Sequence, residues 1–393
     1  MKRVFLLTFI LALVFTFSLP RVASALSEAD AADLSIARAA MAAGDAAAAL
    51  SIYDRLVDEY PENTDLRLEA ARAHHAAGSA GEALRLGRQV LREYEKRRFQ
   101  FRGTARMGFL YDSNVNQGPA SEHIQLGNWG VWLSDGIGKA SAGAYFGANT
   151  DMGWRLSAIS PWWIVGDVNI FLRGNFSKEM KSVNSRRLHW ARGAAGIRYL
   201  DGSNLFDMRL KAEVLDYDFD SRVNGLGFEA RYARVVTPRL QLITDMVFER
   251  RNYSGNDDRA GNFGRVGGYA RFLFGEAGHE FLFGGGYLGA SADNSNYSYD
   301  GWQSLARFSF RLPNGFTISP QVSFTQEFYD GPGTALETEK RRDDRLRIGA
   351  DLAYAINEVW NVEAAYYYMN SNSTSNLYKY DQHVISLGVS RKF

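Results

Sequence analysis

Residues 206–214 read Phe206-Asp207-Met208-Arg209-Leu210-Lys211-Ala212-Glu213-Val214, with every odd position charged and every even position apolar. Successive side chains on a strand point to opposite faces, so this stretch predicts one oily face and one ionic face. The alternation returns where Phe316, Ile318, Val322 and Phe324 interleave with Thr317, Ser319, Gln321, Ser323 and Thr325. It returns again where Leu346, Ile348, Ala350, Leu352 and Tyr354 interleave with Arg345, Arg347 and Asp351. Such strands fit either a soluble sandwich or a membrane barrel.

Strand and loop lengths decide between the two. Working outward, the pattern predicts fourteen strands near 100–112, 139–158, 162–176, 187–199, 204–218, 222–236, 238–252, 261–275, 277–291, 299–312, 315–329, 342–356, 358–371 and 379–393. Most are long enough to cross a membrane at a tilt, which takes about 9–11 residues; strands of soluble sheets usually have about 5–6. The number is even, as single-chain bacterial barrels require. One set of connections is tight: Ile159-Ser160-Pro161, Asp201-Gly202-Ser203, Thr237, Glu276, Pro313-Asn314 and Asn357. The alternate set is mostly longer and polar: 113–138, 177–186, 219–221, 253–260, 292–298, 330–341 and 372–378. Short periplasmic turns and longer outer loops are the habit of outer-membrane barrels. The terminal Phe393, with Val389, Leu387 and Ile385 on one face, resembles the signal read by the barrel insertion machinery, although Arg391 interrupts it. Trp162, Trp163, Trp302, Trp360, Tyr366 and Tyr368 fit interfacial girdles.

The first hundred residues differ. Lys2 and Arg3 precede an apolar run from Val4 to Leu19, and Val22-Ala23-Ser24-Ala25 supplies a small-residue cleavage pattern. This predicts a signal peptide over residues 1–25, cut after Ala25. Cleavage takes away Lys2, Arg3 and Arg21, leaving 42 basic against 44 acidic residues. A near-neutral chain does not suggest a nucleic-acid partner. No cysteine is present, which excludes a lipidated N-terminus, disulfides and thiolate chemistry. Shifting the sequence by 34 residues aligns Ala43-Gly44-Asp45 with Ala77-Gly78-Ser79, Ala49-Leu50 with Ala83-Leu84, and Glu59-Tyr60 with Glu93-Tyr94. That period marks tetratricopeptide repeats. Gly44 and Gly78 suit left-handed helix ends, Ala49 and Ala83 allow close helix approach, Tyr53 and Leu56 supply the apolar stripe, and Pro61 stops a helix. The fold class expected is α+β multidomain: residues 26–97 a small all-α repeat domain in the periplasm, and residues 98–393 a 14-stranded antiparallel transmembrane β-barrel in the outer membrane.

The histidines suggest no catalytic set. His74 and His75 belong to the repeats, while His123, His189, His279 and His383 are scattered over separate elements. Asp112, Asn114 and Asn116 mimic the start of a calcium loop, but Gln117 stands where the turn glycine belongs and His123 where the glutamate belongs. Asp216, Asp218 and Asp220 could chelate a rim cation or serve as solvated loop charge. Arg186-Arg187, Arg250-Arg251 and Arg341-Arg342 suit lipopolysaccharide phosphates or plain solvent equally. No enzyme activity, cofactor or metal is expected. The predicted inner face mixes signs, with Asp207, Arg209, Lys211, Glu213, Glu249, Arg307, Arg311, Arg345 and Arg347. Fourteen strands enclose more space than their side chains fill, so a channel or a plug is required. The longest outer loop, 113–138, carries the apolar run Trp129-Gly130-Val131-Trp132-Leu133 and is expected to fold into or across the lumen.

The order of signal peptide, short repeats and fourteen strands resembles the surface lipoprotein assembly modifiers, the Slam family. The nearest local likeness is Gly108-Phe109-Leu110-Tyr111-Asp112-Ser113-Asn114-Val115-Asn116-Gln117, which is similar to the Tyr-Asp-x-Asn-x-Asn segment that opens the family's barrel. The resemblance implies an outer-membrane translocator that helps export or display lipoproteins or related secreted proteins. The barrel would be the conduit, and the repeats would meet the client or a periplasmic chaperone. It implies no catalytic residues. Two other classes stay open: a polysaccharide-export channel with repeats that dock a synthase, and a porin-like or structural barrel set in lipid and lipopolysaccharide.

Overall fold

The computed structural model describes residues 27–61, 63–96, 98–133, 137–157, 160–176, 188–217, 221–275 and 277–393. The expected signal peptide, Arg186-Arg187, Asp218 and Asp220 lie outside them. The chain forms two compact units, one helical and one a closed sheet.

The helical unit has α1 (Glu28–Ala42), α2 (Ala46–Glu59), α3 (Thr64–Ala76) and α4 (Ala80–Lys96). Each start has a local cause. Ser27 accepts the Asp30 N–H, Asp45 that of Ala48, and Asn63 those of Asp65 and Leu66, which satisfies donors left orphaned at a helix N-terminus. Gly44 and Gly78 take φ of 82° and 81°, the left-handed turn that lets the chain reverse after α1 and after α3. Pro61 follows the end of α2. Ala37, Ala49, Tyr53, Leu56, Leu66, Ala73 and Leu86 form one buried cluster, and Ala83 is half-buried. Tyr53 donates to Glu69 at 3.0 Å, and Glu69 also takes both forks of Arg38. Burial, then the neighbouring Glu69, pushes the Tyr53 hydroxyl up to about 12. Asp30 accepts from Ser27, Tyr60 and Arg55, and these bonds hold its carboxyl far below the usual range. No described helix is long and apolar enough to cross a membrane.

The second unit opens with β1 (Phe99–Asp112), followed by a small hairpin of β2 (His123–Leu126) and β3 (Trp129–Trp132). Thirteen long strands follow. They are β4 (Ser141–Arg155), β5 (Trp162–Asn175), β6 (Leu188–Asp201), β7 (Asn204–Tyr217), β8 (Ser221–Thr237) and β9 (Leu240–Tyr253). Next come β10 (Gly261–Phe274), β11 (His279–Ala292), β12 (Tyr299–Arg311), β13 (Phe316–Tyr329), β14 (Arg342–Ala355), β15 (Trp360–Ser373) and β16 (Tyr380–Lys392). Each long strand pairs with its neighbours, and β1 closes on β16 with Gly108 opposite Gly388. A fourteen-stranded antiparallel barrel results. Every long strand falls within three residues of its expected ends. The hairpin β2–β3 was not expected; Gly127-Asn128 at its turn is the signal that marks it.

The barrel's outer surface is apolar. On β14, Leu346, Ile348, Ala350, Leu352 and Tyr354 share a face opposite Arg345, Arg347 and Asp351, and Asp344 ends the apolar run. That run spans roughly 27 Å along the strand at about 3.4 Å per residue, or roughly 20 Å of membrane at a tilt of about 40°. Ile385, Leu387 and Val389 on β16 continue the band. Trp162 and Tyr199 meet edge to face at 5.0 Å on this surface. Trp163 does not join the girdle: it is 7% exposed, on the same strand face as the buried Asp167, and Gly153 leaves room for its ring. The period-two pleat turns adjacent residues to opposite faces, so Trp162 and Trp163 cannot both face lipid.

Candidate functional site

Two parts of the barrel carry the chain's concentrated polar structure. The first is the root of the first long loop. Asp112, at the end of β1, is buried; its carboxylate accepts the Asn114 N–H at 3.0 Å and Gln382 Nε2 at 2.8 and 3.0 Å, and pairs with Arg173 Nη1 at 3.0 Å. Asn114 accepts from the Gly118 N–H at 2.9 Å and donates to the carbonyls of Gly118 (2.8 Å) and Asp381 (3.0 Å). Asn116 donates to the Ile137 carbonyl at 2.6 Å and accepts from the Lys139 N–H at 2.7 Å. Asn side chains carry donor and acceptor together, which is what loop backbone lacking a ladder partner needs. Gln117 has φ 52°, the only positive value at a non-glycine residue among the described residues. Tyr111 points to the opposite face and is exposed. The motif residues Asp112, Asn114 and Asn116 therefore come together as a lock between β1, β5, β16 and the loop.

Beyond the lock, β2 and β3 bury Ile124 and Leu126, while Trp129 and Trp132 stay 64% and 74% exposed. The Gln125 carbonyl accepts from Asn376 at 2.7 Å, and a side chain at Gly127 would strike the Leu336 carbonyl. The first loop thus rests on the connections 330–341 and 374–379. Arg341 fastens those two together, stacked between Tyr329 (4.1 Å) and Tyr378 (3.3 Å) and bonded to Asp343 at 2.9 Å.

The second part is the inner face. Arg209 binds Asp207 (2.7 Å), Asp151 (3.1 Å) and Asp167; Arg198 binds Asp207 (2.7 Å) and Asp151 (3.3 Å); Arg192 binds Asp167 and Glu229. Lys211 meets Glu249 at 2.5 Å and Glu213 at 3.6 Å, and Arg251 Nε meets Glu249 at 2.6 Å. Across the barrel sequence, Arg345 binds Glu327 (2.9 Å) and Asp343 (3.1 Å), Arg307 lies 3.8 Å from Asp351, and Arg347 stacks on Tyr367 at 4.0 Å. The expected inner charges Arg209, Lys211, Glu213, Arg307, Arg345 and Arg347 all sit on this face. Asp151, Asp167 and Asp245 were missed because glycines blur the alternation on β4 and β5 and Thr244-Asp245-Met246 carries one isolated charge. Counting parity from the exposed Trp154 and Ile164 would have placed the first two.

A cavity of about 520 Å³ opens on the β4–β10 wall, lined by five carboxylates and five arginines. Its balanced charge gives no preference for one ionic polymer. Arg250 is exposed on the outward face, whereas Arg251 and Arg341 are committed to internal carboxylates. The barrel histidines stay apart: His123 packs on Trp132, His279 accepts from the Arg311 N–H, and His383 bonds Tyr366. Among the described residues no group of three or more His, Cys, Asp or Glu could hold a metal ion.

Comparison with solved structures finds the outer-membrane channel DcaP of Acinetobacter baumannii at 11% identity, covering 75% of this chain and 97% of that one with a TM-score of 0.39. The anion-selective porin of Comamonas acidovorans matches at 6% identity, covering 75% and 99% with a TM-score of 0.40. No curated protein matches the chain. Residues 40–100 match the tetratricopeptide repeat family. Residues 101–393, the whole barrel with its polar lock and paired inner charges, match the surface lipoprotein assembly modifiers, and the chain belongs to that family.

Proposed function

We propose that this outer-membrane barrel is a translocator that carries surface lipoproteins, or related secreted proteins, to the cell exterior. The observation that carries the reading is the family match over the barrel together with an inner wall over β4–β10 that is polar and charge-balanced. A conduit for varied polypeptides is served by a wall with little net charge, since a strongly one-signed lumen would retain or reject clients by net charge. The helical repeats are the docking site for the client or for a periplasmic chaperone. Both ends of the barrel chain lie with the short turns, the end that faces the periplasm in bacterial barrels. The loop 113–138, held by Asp112, Asn114 and Asn116, acts as a cap that narrows the outer mouth, with Trp129 and Trp132 on its exposed hairpin. The protein does this without catalysis or cofactor.

Deleting the gene and profiling surface-exposed proteins tests the reading. The expected result is loss of one or more lipoproteins or secreted proteins from the surface with their cellular amounts retained. An unaltered exposed set would overturn it, and loss of a surface glycan instead would favour polysaccharide export.

A further inference from the structure

The arginines on the β4–β10 wall divide into two kinds. Arg192, Arg198 and Arg209 each hold two or three carboxylates. Arg231 and Arg265, which line the same cavity, do not. Arg231 on β8 stands directly across from Asp245 on β9 and Asp207 on β7, yet it is exposed and makes no hydrogen bond or ion pair with a described residue. Arg265 reaches Asp245 Oδ2 only at 3.5 Å, and its own Nε is buried with no partner. Asp245 Oδ1 is likewise buried with no partner. Gly267 lets Tyr269 and Asp245 crowd its backbone, because a Cβ there would lie 3.1 Å from Asp245 Oδ1 and 2.9 Å from Tyr269 Oη.

Arg231, Arg265 and Asp245 therefore line one cavity with part of their hydrogen-bonding capacity unspent. A guanidinium fork matches a carboxylate, and a buried acceptor without a donor is destabilising until one arrives. A simple anion would satisfy the arginines and repel Asp245. We propose that Arg231, Arg265 and Asp245 form a subsite for a carboxylate that carries a neighbouring N–H donor, as an acidic residue of an extended polypeptide does. The proposal rests on the reading of the barrel as a protein conduit and names a chemistry that the conduit recognises.

The test is calorimetric titration of the full-length protein in detergent with capped tripeptides Gly-Asp-Gly and Gly-Lys-Gly, and with acetate. The aspartyl peptide is expected to bind, the lysyl peptide not, and acetate at least tenfold more weakly than the first. Arg231→Gln should weaken the aspartyl peptide about tenfold, the scale of one charge-assisted bond, and Arg231→Lys should restore part of the loss. Arg231 is exposed and makes no hydrogen bond or ion pair with a described residue, so its variants should fold; Asp245→Asn gives a second probe, narrowing the gap between peptide and acetate. Equal binding of both peptides, acetate as tight as peptide, no binding at all, or affinity unchanged in Arg231→Gln would each overturn the subsite. Those outcomes leave the surface-profiling test of export untouched.

Discussion

The helical repeats and the barrel solve opposite problems with similar residues. In the repeats the deeply buried side chains are Leu56, Leu66 and Leu86; in the barrel they include Glu249, Asp112 and Asp343. The exposed side of the comparison inverts as well, since Leu210, Leu226 and Phe109 are 73%, 69% and 65% exposed on the barrel. One unit hides apolar surface from water; the other presents it to lipid and gathers charge inside. The lesson is that burial alone does not define a core. What defines it is which solvent lies outside.

Substitutions that ignore the inversion should be the most damaging. Glu249→Gln leaves Lys211 and Arg251 facing a neutral amide in a closed space; removing one partner of a buried pair costs about 3–5 kcal/mol, so urea unfolding of the barrel should shift accordingly. Leu56→Ala in the repeats should cost about 2–5 kcal/mol, read as earlier loss of helical circular dichroism while the barrel transition stays put. Ile348→Arg on the lipid face should cost about 2–4 kcal/mol. Ser323→Arg, on the inner face of the adjacent strand, should cost far less, and equal losses would break the comparison.

The smallest effect is in pH. Asp30 and Glu69 have folded values held below the ordinary carboxyl range, by Ser27, Tyr60 and Arg55 and by Arg38 respectively. They contribute stability above their unfolded value near 4 that is lost as the pH falls. Tyr53 is raised, so its contribution is present below about 10 and lost as pH climbs toward about 12. Helix melting should therefore weaken at both extremes, and Asp30→Asn should flatten only the acid limb.

Much of the fold was legible because both units announce themselves by period. The 34-residue spacing of Gly44 and Gly78, and the alternation through Phe206–Val214, each report a geometry that any L-polypeptide obeys. Strand ends were legible for the same reason. The interior was most legible where charges alternate strictly, as with Arg209, Lys211 and Glu213. Asp167 and Asp245 escaped because a lone carboxylate carries no period, and Trp163 misled because an aromatic near a strand end is read as a girdle until the parity of its neighbours is counted. The motif at Asp112, Asn114 and Asn116 was visible as residues but not as a lock. Its partners Gln382 and Arg173 are distant in sequence, and only barrel closure brings them together. The hairpin β2–β3 was missed because a long polar loop draws attention to its length rather than to the Gly127-Asn128 turn inside it.

A barrel that spans the outer membrane in the usual sense holds its long loops outside and its short turns in the periplasm. The absence of native cysteine makes that directly measurable. Trp129→Cys and Asn314→Cys, carried singly in intact cells, are treated with a membrane-impermeant maleimide. Labelling of Trp129→Cys in intact cells, with Asn314→Cys reacting only after the outer membrane is permeabilised, is the result expected. Equal labelling of both sites in intact cells, or of neither before permeabilisation, would contradict it.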